Sequence, residues 1–347
     1  MFPTCRLSEL AMPHRLLVLF LAVLVLSPAV HAEDSDSVIA LSTDNDLFAP
    51  TQTDQDYTAG LAVTYSSNSE DFLENPASGI SQNLDRFVLS GIGADINEPE
   101  SAALEFGIYG FTPEEIKARD IDRDDRPYSS LVYLSSSHSY RNLSDDSGWT
   151  TSMTVGVLGL DVFKSGQNAV HKVVGSDRAN GWDHQVSNGG EPTFRYSAAY
   201  HQYLDKNRPD QQFKVTYFGS VGYLTEFGAA LVFRDGLISS PDNRFNPELM
   251  AYGERAPGVA APGGREHYFW GGVSVKARAY NAFLQGQFRH SDHELDANDL
   301  NVLLAEIWAG YTHSFVAGTE LSYVLRVQSS EIKSGTGNRT LAWGGLV

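Results

Sequence analysis

One stretch of this sequence has the residue types and spacing of general-base chemistry. Ser165-Gly166-Gln167-Asn168-Ala169-Val170-His171-Lys172-Val173-Val174-Gly175 reads as a short helix, with Ser165 as N-cap and Gly175 as C-terminal stop. Four-residue spacing sets Gln167 and His171 on one face of that helix. Histidine exchanges a proton near neutral pH, and a neighbouring amide can fix its tautomer or orient a water. An ordinary surface histidine on a loop helix fits the same pattern.

A second set of residues offers hard oxygen donors of the kind calcium takes: Asn45 and Asp46 at the end of one strand, and Thr58 at the start of the next. The run Asp44-Asn45-Asp46 is not an EF-hand loop. The sixth position from Asp44 is Ala49 where glycine is required, and the twelfth is Gln55 where glutamate is required. An Asx-rich turn between strands explains these residues equally well. His290-Ser291-Asp292-His293 could bind a metal or close a solvated loop. No Gly-x-Ser-x-Gly elbow is present to support a nucleophilic serine.

The elements that must position these residues are strands. Period-two alternation recurs along the chain and helical periodicity is rare. In 320–328, Leu321, Tyr323, Leu325 and Val327 point one way while Ser322, Arg326 and Gln328 point the other, with Val324 breaking the pattern. Phe213, Val215, Tyr217, Gly219 and Val221 alternate with Lys214, Thr216, Phe218 and Ser220, and Leu61, Val63 and Tyr65 alternate with Ala62, Thr64 and Ser66. Candidate strands long enough for a tilted membrane crossing favour a transmembrane barrel over a soluble sandwich. Tyr133, Trp149, Trp270, Trp308 and Trp343 are candidates for its interfacial girdle.

The expected fold is all-β: a transmembrane antiparallel up-and-down β-barrel of about 12 strands, with a short helix in an extracellular loop. Strands are expected to begin near residues 38, 57, 102, 129, 149, 193, 211, 226, 267, 302, 319 and 339. With a periplasmic N-terminus, the connections at 48–56, 111–128, 160–192, 281–301 and 331–338 face outward, which puts the chemical candidates at one rim. The connections at 69–101 and 236–266 are then periplasmic, and both are long where short turns are the rule. The chain also ends in Leu346-Val347, where such barrels usually finish on an aromatic residue.

The N-terminal segment has a basic flank (Arg6, His14, Arg15), an apolar run over 16–26, and Ser27-Pro28-Ala29-Val30-His31-Ala32. Residues 1–32 are therefore expected to be a cleaved signal peptide, with 33–347 the mature barrel. Cys5, the only cysteine, lies in the removed part, which excludes disulfides and thiolate metal sites from the rest. A net charge of −18 and a mean hydropathy of −0.25 argue against nucleic acid as partner and against a helical membrane protein. An anionic head group would need divalent cations or a local cluster of Arg and Lys to bind.

In order along the chain, Asn45-Asp46, Asp56-Tyr57-Thr58-Ala59-Gly60, Tyr109 with Thr112-Pro113, Asp125-Arg126-Pro127-Tyr128, Gln167-x3-His171, Gly181-Trp182-Asp183-x-Gln185 and Asn281-Ala282-Phe283-Leu284-Gln285-Gly286 resemble the lipid A 3′-O-deacylase family, the LpxR-like outer-membrane enzymes. The resemblance implies a twelve-stranded outer-membrane barrel that acts on lipid A or lipopolysaccharide and needs Ca2+, with no obligate protein partner. It implies that His171 activates a water beside Gln167, and that Asn45, Asp46 and Thr58 belong to the calcium-bearing part of the site. The family lysine of the second external connection would be Lys117, with Arg119 as the other match. Asp177 stands where the family has an acidic residue, as a third calcium ligand and one methylene shorter than glutamate. Two other functions remain open on the same scaffold: a serine-type outer-membrane phospholipase, and a non-enzymatic porin or adhesin.

Overall fold

The computed structural model describes residues 37–50, 55–74, 76–94, 96–142, 146–174, 177–204, 208–256, 265–315 and 319–347. The expected signal peptide at 1–32 and the expected helix stop at Gly175 lie outside these residues.

Alternation along the chain becomes a closed antiparallel barrel of twelve strands: β1 (Ser37–Asn45), β2 (Asp56–Ser67), β3 (Ser101–Thr112), β4 (Ser129–Asn142), β5 (Ser147–Leu158), β6 (Glu191–Leu204), β7 (Gln211–Gly222), β8 (Leu224–Leu237), β9 (His267–Asn281), β10 (Leu303–Ser314), β11 (Glu320–Gln328) and β12 (Leu341–Leu346). Each strand pairs with its sequence neighbours, and β1 closes on β12 through Thr43↔Leu346 and Asn45↔Gly344. Every expected strand start falls within two residues of the observed one. Closure removes the free edges that would otherwise template aggregation. The end at which β1 finishes and β2 begins is called the upper rim below.

Side-chain parity follows the expected pattern. Leu61, Val63, Phe213, Tyr217 and Val221 face outward and are exposed, whereas Lys214, Thr216 and Ser220 are buried on the inner face. Val324, which broke the alternation, is buried against Ala230, Trp270 and Trp308 in the lumen. The girdle expectation needs correction for four of its five aromatics. Tyr133, Trp270, Trp308 and Trp343 fall on inward parity and are buried. They pack against residues that fill the barrel: Trp270 lies 5.2 Å from the Phe245 ring, and Trp343 6.2 Å from Tyr252.

The two long lower connections are where the structure departs most from simple turns. Between β2 and β3 the chain forms α1 (Glu70–Leu73) and α2 (Pro76–Gly91). Between β8 and β9, residues 238–256 turn into the lumen and climb through it. Asn243 donates to Glu100 near the lower rim, Glu248 pairs with Lys214 at 2.9 Å, and Glu254 accepts from Thr154 at 2.9 Å. Tyr252 reaches the upper rim, where its hydroxyl donates to Glu331 at 2.6 Å. This ascending segment explains a long connection on the side of short turns.

Candidate active site

The upper ends of β1 and β2 are shaped by one irregularity. Between Tyr57↔Phe111 and Ala59↔Gly110 the ladder slips by a residue, so Thr58 is the extra residue of a β-bulge. Bulges re-aim a side chain at the cost of local pairing. Tyr57 thereby turns inward, into the aromatic cluster with Tyr109, Phe111, Tyr252 and Trp343. Thr58 is buried and accepts from the Thr112 hydroxyl at 3.2 Å. The Asn45 amide donates to the Thr58 carbonyl at 2.6 Å, and its oxygen caps the following turn by accepting from Leu47 N at 2.7 Å. Asp46, also buried, accepts from the backbone of Gln55.

The helix of the third upper connection is longer than expected. It is α3 (Asp161–Val174), with Asp161 in its first turn, where a carboxylate suits the helix dipole. Ser165 is therefore not the N-cap. It sits one turn inside and donates back to the Asp161 carbonyl at 3.2 Å. Both Gln167 and His171 lie on the buried face. Indole N–H can only donate, so the 2.8 Å bond from Trp182 Nε1 fixes Gln167 Oε1 toward the indole and its NH2 group away from it. That Nε2 is buried and has no hydrogen-bond partner among the described residues.

The histidine tautomer is set by the main chain and not by Gln167. His171 Nδ1 bonds the carbonyl oxygen of Asp177, so the proton is on Nδ1 and the lone pair of the neutral ring on Nε2. The Asp177 carboxylate turns the other way, to Lys117 Nζ at 2.8 Å. This hydrogen-bonded pair raises the Lys117 pKa. Lys117, not Arg119, is the residue that reaches Asp177, and Asn180 fastens the two loops by donating to the Lys117 carbonyl at 3.0 Å.

A small aromatic cluster joins α3 to the β2 end. Phe163, Trp182, Tyr128, Ile116 and Ala179 pack together, with Ala59, the residue after Thr58, against them. Ring centroids lie 4.8 Å apart for Tyr128 and Trp182 and 5.1 Å for Phe163 and Trp182; each such pair is worth about 0.5–1.5 kcal/mol. Two glycines permit this packing. A Cβ on Gly181 would come within 2.4 Å of the Tyr128 ring, and one on Gly110 within 2.7 Å of Phe163. Asn168 completes the join, bonding both the N–H and the carbonyl of Ala179, at 3.0 and 3.3 Å.

Beside this cluster lies an ion network that spacing did not reveal. Arg126 bonds Glu331 at 2.9 Å and Asp56 at 3.4 Å, while Arg339 holds Asp56 at 2.8 Å and Asp125 at 2.9 Å. Glu331 also receives Arg278, the Tyr252 hydroxyl and Asn281. Burial alone would raise the Glu331 pKa, but the Arg278 and Arg126 guanidinium groups hold it below its ordinary value. Asp56 has a φ of 65°, a left-handed conformation that a non-glycine residue keeps only when its surroundings enforce it. Asp56 and the Asp125-Arg126 pair were quoted above as motif residues. Their partners Glu331 and Arg339, between 205 and 283 residues away, carried no local signal.

The donors Asp46, Asn45 and Thr58 are oxygen ligands of the hardness calcium takes, and they gather where β1 meets the bulge. Among the described residues no group of three or more His, Cys, Asp or Glu side chains forms a metal cage. A cation at this point would need amide, hydroxyl and main-chain oxygens as well. The His290 segment instead clasps loops: Asp292 accepts from His184 Nδ1 at 2.8 Å and Ser291 from Ser187 N at 3.0 Å.

The model of the outer membrane protein LpxR family matches residues 17–347. The solved structure of LpxR from Salmonella typhimurium superposes with a TM-score of 0.67 at 17% identity, covering 89% of this chain and 98% of that one. The Pseudomonas putida toluene transporter TodX matches at 9% identity over 94% of this chain and 92% of its own, with a TM-score of 0.31. No curated protein sequence matches the chain.

Proposed function

Because the chain belongs to the LpxR outer membrane protein family, we propose that it is a lipid A deacylase of the bacterial outer membrane, cleaving the 3′-linked acyloxyacyl ester at the upper rim. The carrying observation is the hydrogen bonding on one face of α3. The Asp177 carbonyl directs the lone pair of neutral His171 to Nε2, and the Trp182 indole turns the Gln167 NH2 group away from itself, buried and with no hydrogen-bond partner among the described residues. These are a base and an oxyanion donor side by side, and neither needs a serine nucleophile.

In the proposed reaction His171 Nε2 takes a proton from water as the water oxygen attacks the ester carbonyl carbon. The Gln167 NH2 donates to the oxygen on which negative charge develops. Collapse of the tetrahedral adduct breaks the bond to the sugar 3′-oxygen, which leaves as a hydroxyl with the proton from His171. The acyl chain departs as a carboxylic acid, which ionises by losing the second proton of the water to solvent. Asp46 and Asn45, with Thr58 beside them, are the residues that would hold calcium; Asp177, whose carboxylate pairs with Lys117, would join them only by leaving that pair. Bound there, Ca2+ would polarise the ester carbonyl and steady the oxyanion. Exposed Arg119, Lys172 and Arg178 around α3 suit the phosphates of lipid A despite the overall charge of −18.

The test is mass spectrometry of lipid A incubated with the purified barrel in mixed micelles. Loss of the acyloxyacyl mass with Ca2+, its absence in EDTA and its return on adding Ca2+ are expected. Deacylation that persists in EDTA would remove calcium from this reading. Covalent labelling of the barrel by a serine-directed phosphonate would replace it with the phospholipase.

A further inference from the structure

Below the row Phe106–Leu134–Val155–Phe194, which pairs strand to strand from β3 to β6 and is exposed and apolar, the outer wall changes character. The next outward row is Leu104, Ser136, Met153 and Tyr196, and the one below it Ala102, His138, Thr151 and Ala198. Directly below lie Tyr140, Trp149 and Tyr200, and around the rest of the wall the lower part carries aromatic pairs, Phe213 with Phe233 and Phe269 with Tyr311. Polar side chains such as His138 and Thr151 facing hydrocarbon would be costly.

Helix α2 covers this polar patch. Ser81 meets Ser136 at 3.1 Å, and Asp85 accepts from His138 at 3.0 Å, from Tyr140 at 2.7 Å and from Tyr196 at 2.9 Å. Ser78, Ser81, Gln82, Asp85 and Leu89 are all buried on this side. The opposite side of the helix carries Ile80 and Phe87, followed by Ile92 just past its end, with 66%, 77% and 64% of their surface exposed. Amphipathic helices on soluble proteins bury the apolar stripe; this helix buries a mostly polar face and exposes Ile80 and Phe87, with Asn83 and Ser90 beside them.

We propose that α2 is a bilayer-embedded strap, and that the hydrocarbon and interface of the membrane leaflet at the lower rim cover its outward face. The commitment to lipid rests on continuity. Ser136 is two residues along β4 from Leu134, a step of about 7 Å. The start of α2 therefore stands immediately beside the barrel's exposed apolar row, and Ile80 and Phe87 extend that surface across the patch. Arg86, on the flank, reaches Glu98 at 3.1 Å, a suitable arrangement for a side chain at the head-group level.

Since Cys5 is the only cysteine, a Cys5→Ser background accepts single labels cleanly. A polarity-sensitive fluorophore at Phe87→Cys, and independently at Ile80→Cys, is compared in phosphatidylcholine vesicles with Leu134→Cys on the barrel band and Asp120→Cys in an exposed loop. Quenching by brominated phosphatidylcholine that matches Leu134→Cys, with little quenching by aqueous iodide, is the expected result. Labels that behave like Asp120→Cys would overturn the proposal. So would excimer emission from pyrene labels at Phe87→Cys, which would assign the face to a second copy of the chain.

Discussion

Two buried polar clusters share the upper rim, and they use their hydrogen bonds in opposite ways. Around Glu331 each named group meets an opposite charge or a donor: Arg126, Arg278, Tyr252 and Asn281 converge on one carboxylate, and Arg339 links Asp56 to Asp125. On α3 the bonds to Trp182 and to the Asp177 carbonyl fix Gln167 and His171 in orientation, but the Gln167 NH2 group is left over. Networks of several charged bonds hold loops in place, even where one donor, here Arg126 Nε, is left without a partner among the described residues. A fixed but unspent donor is what a transition state needs, since its partner appears only as the reaction proceeds.

Replacing Arg126 by Met should give the largest effect on folding. It strands Glu331 and Asp56 in a buried setting at a cost of about 3–5 kcal/mol. The folded, heat-modifiable band of the barrel should disappear at lower temperature, and activity per folded molecule should change little. A large loss of rate with unchanged melting would break the division between the two clusters. Acidification probes the same network reversibly. Glu331 titrates lower in the fold than its ordinary 4.5, so its stabilisation is complete above that pH and is lost as pH falls through the folded value. The Asp56 pKa in the same network is raised by burial and opposes this trend, so the expected outcome in a pH series followed by circular dichroism is that Glu331→Gln removes part of the loss of melting temperature on the acid side.

Gln167→Glu keeps the acceptor for Trp182 and removes the spare donor. The rate should drop by about 100-fold, as on deletion of one oxyanion donor, and the buried carboxylate should also lower the melting temperature. Gly181→Ala should act through geometry, because the new methyl group meets the Tyr128 ring. A destabilisation of about 1–3 kcal/mol is expected, accompanied by slower deacylation in a single-turnover assay. Lys117→Met should matter least. The pair with Asp177 is exposed on both sides, so stability should hold, and only the rate should fall modestly as the loop carrying the Asp177 carbonyl loosens.

Much of the scaffold was legible because a barrel wall is a local pattern. Alternation along Leu61–Ala62–Val63–Thr64 or Lys214–Val215–Thr216–Tyr217 reports which face each residue takes, whatever lies beyond it. Parity could not say what fills the lumen. Trp270, Trp308 and Trp343 read as girdle residues because the segment that packs on them is a remote connection with no alternation of its own. The same blindness hid the Arg126–Glu331 and Asp56–Arg339 pairs, which join points far apart in sequence. It also hid the role of α2, whose polar stripe makes sense only against His138 and Tyr140. Within the candidate site, helical spacing put Gln167 and His171 together. The fixing of the imidazole by a main-chain carbonyl carries no side-chain signal and could not be anticipated.

The most direct test of the account is the mass spectrum of lipid A from cells expressing the wild type or His171→Ala at equal levels of folded barrel. Wild-type cells should yield lipid A lacking the 3′-acyloxyacyl chain, and His171→Ala cells only the intact species. Deacylation by His171→Ala at the wild-type level would contradict the central claim that this histidine is the base.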